Sequence, residues 1–210
     1  MILHGYWRSG AAYRTRIALA LKGLAYDQQG VDLRTGVQRS EAFVALNPQG
    51  MVPALEVDGV VLTQSPAILE WLEEAHPAPA LLPADPVDRA RVRAMAAVIG
   101  CDIHPLNNLR VGKALRETFG ADQAAVDAWA ARWILPGFEA LEALVTRHGV
   151  GWCFGAAPTL ADCYLIPQIY SARRFNVPLN AFPRLLEVDA AAAAHPAFRA
   201  AHPDAQPDAD

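Results

Sequence analysis

Residues 52–66 read Val-Pro-Ala-Leu-Glu-Val-Asp-Gly-Val-Val-Leu-Thr-Gln-Ser-Pro. Asp58-Gly59 stands between two apolar runs, and this dipeptide supplies the positive φ angles that a two-residue hairpin turn requires. Val52 to Val57 and Val60 to Thr63 therefore read as antiparallel strands. Ser65-Pro66 opens a helix over 67–75, with serine at the cap and proline at the first helical position.

The chain upstream completes the pattern. Ile2 to Trp7 reads as a strand, Ala11 to Lys22 as a helix stopped by Gly23, and Tyr26 to Val31 as a second strand. Ser40 opens a helix that ends at Asn47-Pro48, because the residue before proline is pushed out of helical geometry. The order β-α-β-α-β-β-α implies a mixed sheet with helices on its faces. Downstream, residues 76–86 are proline-rich and carry no helical period, so they read as an interdomain linker. Residues 87–119, 122–148, 160–175 and 184–194 then read as helices, with breaks at Gly120, Gly149 and Pro183. The tail from Ala200 to Asp210 is expected to fray. The fold class is α/β plus all-α, a small mixed-sheet domain followed by a helical one. Thr159 and Asp162 stand at capping-box spacing, which concerns folding rather than chemistry.

Composition narrows the function. The 210 residues are 53% hydrophobic, which excludes a disordered chain, and carry a net charge of −4. A mildly acidic chain without a Lys/Arg cluster argues against nucleic acid or an anionic membrane as partner. No apolar run reaches the roughly 18 residues of a membrane span, and the N-terminus lacks the features of a signal peptide. Cys101, Cys153 and Cys163 have no metal-ligand spacing and read as core residues, so neither a disulfide framework nor a metal site is expected. A cytoplasmic globular protein is the expectation.

Polar residues gather at strand and helix ends. Arg8-Ser9-Gly10 joins the first strand to the first helix, where unpaired N–H groups and the helix dipole attract anions. Ser9 has two readings, a plain helix cap or a hydroxyl that donates to a thiolate. Lowering a thiol pKa from about 8.5 to about 6.5 requires roughly 2.7 kcal/mol. A helix terminus supplies up to ~2 kcal/mol and a charge-assisted hydrogen bond ~1.5–3 kcal/mol, so the second reading is affordable. The loop Gln49-Gly50-Met51-Val52-Pro53 offers a backbone edge to an extended peptide if Pro53 is cis. Gln64-Ser65, at a helix start, is either a cap or a carboxylate site. His104, Asn107, Asn108 and Arg110 cluster near a helix interruption at Pro105 as a polar pocket wall or a capping network. Arg173 and Arg174 end a long helix, where one complements the helix terminus and the other suits a carboxylate.

Together these motifs resemble the cytosolic glutathione transferases, and within them the zeta class. Tyr6-Trp7-Arg8-Ser9, Arg14-x-Arg16-Ile17-Ala18-Leu19, Asn47-Pro48-Gln49-Gly50-Met51-Val52-Pro53 and Gln64-Ser65-Pro66-Ala67-Ile68 carry the resemblance. It implies a thioredoxin-like glutathione-binding domain over 1–79 and an all-helical substrate-binding domain over 87–210. It also implies glutathione as cofactor, a homodimer, and cis–trans isomerisation of maleylpyruvate or maleylacetoacetate in aromatic catabolism. Gly100 to Asn108 is most similar to the maleylpyruvate branch. By the same resemblance Ser9 lies beside the glutathione sulfur, Val52 pairs with its cysteinyl part before cis-Pro53, and Gln64 and Ser65 hold its γ-glutamyl end. Gln49, Asn108 and His104 bind its other polar parts, and Arg8 and Arg174 clamp a dicarboxylate substrate. Gly10-Ala11-Ala12 departs from the Ser/Cys-rich loop of the class and leaves thiol activation to Ser9 and the helix terminus. Two other readings stand beside this one: a general transferase conjugating small halo-acid electrophiles, which the arginine pair disfavours, and a non-catalytic glutathione-fold binder, which the departure after Ser9 favours.

Overall fold

The computed structural model describes residues 1–209, and Asp210 lies outside the described residues. The chain divides into two compact units, residues 1–81 with 193–210, and residues 82–192.

In the first unit the strands are β1 (Ile2–Gly5), β2 (Asp27–Gly30), β3 (Ala54–Val57) and β4 (Val60–Thr63), joined in the order β2-β1-β3-β4. β1 is parallel to β2 and antiparallel to β3, and β3 is antiparallel to β4. Val57 pairs with Val60 around Asp58 and Gly59, whose φ angles are 50° and 80°, the twist a tight hairpin needs. Leu3 faces Leu55 across the β1–β3 ladder, and both are fully buried. The first strand is shorter than expected, because the chain turns at Tyr6 and Trp7, where the Ser9 N–H donates to Tyr6 O at 2.9 Å.

Helix α1 (Gly10–Leu21) is buried along Ala12 to Leu19, charged residues included. A helix enclosed on all sides must satisfy its arginines internally. Arg14 Nη1 donates to Ser65 Oγ at 2.9 Å, and Arg16 donates to Trp7 O at 2.8 Å and Ala201 O at 3.0 Å. Helix α2 (Glu41–Leu46) is capped by Ser40, whose hydroxyl accepts from Phe43 N. Helix α3 (Ser65–Ala75) buries Ile68, Leu69 and Leu72, a spacing that puts them on one face.

The start of the proline-rich stretch is pinned. Lys22, itself buried, donates to Glu73 at 2.8 Å and to the carbonyls of His76 and Pro79 at 2.7 and 3.0 Å. Glu73 Oε2 accepts the Leu81 N–H at 2.9 Å. This hub of charge-assisted bonds gives a segment without secondary structure a defined path.

The second unit contains α4 (Pro86–Ala97), α5 (Leu109–Phe119), α6 (Gln123–His148), α7 (Leu160–Arg174) and α8 (Pro183–Ala194). Residues 98–103 continue α4 as a π-helical segment, followed by a 3-10 turn over 104–106. The helical stretch expected over 87–119, with an interruption at Pro105, thus already departs from α-helix at residue 98, and the wider winding brings Ile103 against α6 at Gly137, where a Cβ would lie 2.3 Å from Ile103 Cδ1. At the start of α7 the Asp162 carboxylate accepts from Thr159 N at 2.7 Å, Thr159 Oγ1 at 2.8 Å and Cys153 N at 2.8 Å.

The C-terminal segment departs from expectation. Helix α9 (Pro196–Ala201) packs on α1, and the described residues from 193 onward group with the first unit rather than with the helical region over 87–210. Nor does the tail fray over its described residues: Ala201, Pro203 and Gln206 are buried, and Gln206 Nε2 donates to Ala200 O and His202 O.

Candidate active site

The sheet of the first unit delivers three short segments with polar side chains. Ser9 caps α1: its Oγ accepts from Ala12 N at 3.3 Å. A hydroxyl that accepts in this way keeps its own proton to donate, so the cap and the thiolate-donor readings are compatible. Arg8, half-buried, lies with its guanidinium carbon 5.2 Å from the centre of the Trp7 ring.

The second segment is the loop after α2. Asn47, buried, staples it by donating from Nδ2 to Met51 O at 2.6 Å and accepting at Oδ1 from Gln49 N at 3.1 Å. The Val52–Pro53 peptide is cis, and Val52 precedes the first paired residue of β3. Asn47 was not among the expected site residues. Its position before proline marked a helix end, and nothing local shows that its amide closes the loop.

Gln64 and Ser65 form the third. Gln64, not Ser65, is the cap residue of α3, and Ser65 is its first helical residue. The Gln64 φ of 67° turns the chain sharply out of β4, so the serine enters the helix and its hydroxyl meets Arg14 instead of capping. Exposed Gln64 donates from Nε2 to Gln49 Oε1 at 2.5 Å, which brings the second and third segments together. Ser65 Oγ, having accepted from Arg14, retains a proton for an anion.

In the second unit, Asn108 caps α5, accepting from Val111 N at 3.3 Å and donating to Pro105 O at 3.1 Å. The capping alternative for this cluster is therefore realised at Asn108. His104 is half-buried on the 3-10 turn, and Asn107 is buried beside it. Arg174 is exposed at the last position of α7, and Arg173 is paired with Asp189 at 2.5 Å.

Two of the expected core cysteines, Cys153 and Cys163, are buried, and burial pushes the Cys153 thiol well above its ordinary pKa. Cys101 is exposed on the π-helical segment, so its apolar neighbours in sequence misplaced it. Among the described residues no group of three or more His, Cys, Asp or Glu side chains could hold a metal ion. No helix of the described residues is long and apolar enough to cross a membrane.

A sequence profile of the glutathione S-transferase N-terminal domain matches residues 8–75, the stretch that contains all three segments. A maleylpyruvate isomerase from a Ralstonia species is 56% identical over 99% of both chains. A solved maleylpyruvate isomerase, described as a bacterial zeta-class glutathione S-transferase, is 55% identical, covers both chains completely and superimposes with a TM-score of 0.98. The chain belongs to the zeta class of the glutathione S-transferases. The maleylacetoacetate isomerase of Anaeromyxobacter dehalogenans, solved with glutathione in its active site, is 49% identical over 100% of this chain and 97% of its own, with a TM-score of 0.90. Membership accounts for the thioredoxin-like first unit and the helical second unit of this zeta-class chain.

Proposed function

We propose that the protein is a glutathione-dependent cis–trans isomerase that converts maleylpyruvate to fumarylpyruvate, or maleylacetoacetate to fumarylacetoacetate, in aromatic catabolism. The observation that carries this reading is the end-to-end match, at 56% identity, to a maleylpyruvate isomerase. The residues of the first unit fit the cofactor: one hydroxyl with a proton to give at a helix N-terminus, a second hydroxyl oriented by a buried arginine, and two amides linked to each other.

Bound glutathione supplies a nucleophilic thiol that adds reversibly across the cis double bond, so that rotation takes place about a single bond. Ser9 donates its hydroxyl proton toward the sulfur, and the α1 N-terminus stabilises the thiolate charge. Gly10, Ala11 and Ala12, which follow Ser9, bring neither a thiol nor a hydroxyl, so the helix dipole and one hydrogen bond carry the activation. Val52 offers its main chain to the cysteinyl part beside Pro53. Gln64 and Ser65 hold the γ-glutamyl carboxylate and amine, with Gln49 held against Gln64. Asn108 and His104 bind other polar parts of the cofactor. Arg8 and Arg174 anchor the two substrate carboxylates, which suits the planar, permanently charged guanidinium. The same reading places the enzyme in the cytoplasm as a homodimer, and three free cysteines suit a reducing compartment.

An absorbance assay with each substrate, with and without glutathione, tests this. Glutathione-dependent loss of the cis-isomer signal is expected, and the ratio of the two rates identifies the substrate. Bound glutathione with turnover of neither substrate would overturn the isomerase reading in favour of a conjugating transferase or a binder.

A further inference from the structure

The turn that carries Arg8 and Ser9 is held by the far end of the chain. Trp7 immediately precedes it, and both polar groups of the Trp7 main chain are taken by side chains. Its carbonyl accepts from Arg16 Nη2 at 2.8 Å, and the same guanidinium donates through Nε to Ala201 O at 3.0 Å. Its N–H donates to Asp208 Oδ2 at 2.9 Å. Asp208 Oδ1 accepts from Gln28 Nε2 at 2.5 Å, so this carboxylate bridges the end of β1 to the edge strand β2. A Cβ on Gly30, the last residue of β2, would lie 3.4 Å from Asp208 Cβ, so the glycine leaves the aspartate room. The tail reaches this place on a fixed path, with His202 edge-on to the Tyr13 ring at 5.9 Å and Gln206 tied back to Ala200 and His202.

We propose that Asp208 is a positioning residue for the Arg8–Ser9 turn, acting through the Trp7 N–H. With Arg16 on the carbonyl side and Asp208 on the amide side, the backbone of Trp7 has little freedom, and neither has the next residue that must present a side chain to the site. The C-terminal segment is thereby a working part of the glutathione site. This inference rests on the reading of Ser9 as the partner of the glutathione sulfur.

The test uses Asp208→Ala and Asp208→Asn in the full chain. Asparagine keeps an oxygen for the Trp7 N–H and, with the Gln28 amide turned over, an amide partner for Gln28. Asp208→Ala is expected to raise the KM for glutathione about five- to tenfold, the loss of one charge-assisted hydrogen bond, with a smaller change in kcat. Its bound glutathione thiol is expected to titrate at higher pH, and the amides of residues 7–9 to exchange faster with solvent. Asp208→Asn is expected to stay within about twofold of wild type, since its hydrogen bonds survive. Wild-type amide exchange and wild-type glutathione KM in Asp208→Ala would overturn the proposal, as would an asparagine variant as impaired as the alanine one. Ser9→Ala serves as the control: an unchanged thiol titration there sinks the role of Ser9 alone, because amide exchange in Asp208→Ala reports the clamp without reference to it.

Discussion

The buried Arg14 guanidinium donates to the buried Ser65 hydroxyl at 2.9 Å, tying the middle of α1 to the first turn of α3. The bond spans 51 residues of sequence and joins a charge in the core to a group assigned to glutathione. It does two things at once. It satisfies part of a buried charge, and it occupies a serine lone pair so that the hydroxyl proton points elsewhere.

Arg14→Met keeps most of the apolar stem and removes the donor. The KM for glutathione is expected to rise about fivefold with little change in kcat, since a binding group loses its orientation. Ser65→Ala leaves a buried guanidinium with one donor unused and is expected to cost about 1–3 kcal/mol of stability. A double-mutant cycle on urea unfolding is expected to give a coupling of about 1–2 kcal/mol between the two positions. Strict additivity would show that the two side chains act independently.

Gln64 holds a φ of 67° and a ψ of 110°, a region that residues with a Cβ seldom occupy and that costs about 1–3 kcal/mol. The strained backbone sits where the chain must leave β4 and enter α3 within one residue. Gln64→Gly is therefore expected to melt at a higher temperature than Gln64→Ala, since only glycine relieves the strain. Both lose the amide that bonds Gln49 and are expected to bind glutathione about five- to tenfold more weakly. Equal melting temperatures for the two variants would show that the turn is unstrained.

What was legible in the sequence is what neighbours decide. Asp58-Gly59 announces the hairpin because two adjacent residues carry the whole requirement for positive φ, and Ser9 announces a helix start for the same local reason. Ser65 misled, because serine before proline normally caps a helix, whereas here the departure of β4 moves the cap to Gln64. Arg14 with Ser65 and Asp208 with Trp7 were out of reach, since their partners stand 51 and 201 positions away. The tail looked frayed because its alanine, aspartate and proline lack an apolar period, yet its order comes from single polar contacts and from packing against α1. The π-helical turn over 98–103 has no composition signal of its own; it depends on Gly137, which lies on another helix.

Asp162 is fully buried in the second unit and accepts from Cys153 N, Thr159 N and Thr159 Oγ1. Burial pushes its carboxyl above the ordinary value, and the hydrogen bonds from Cys153 and Thr159 only partly pull it back. Asp162→Ala strands two buried N–H groups and is expected to cost about 3–5 kcal/mol in urea unfolding. The pH dependence of that cost follows from linkage. With the folded pKa above the unfolded one, the native state holds the proton more tightly, so the protonated side chain is the more stabilising form. The contribution is complete below the unfolded value near 3.8 and declines as the pH rises through the folded one. The stability gap between wild type and Asp162→Ala is therefore expected to be widest at acid pH, to narrow as the pH rises from the unfolded toward the folded value, and to be level above it. A gap that instead widens with rising pH would mean that the three hydrogen bonds outweigh burial and that the carboxylate is the form the fold prefers.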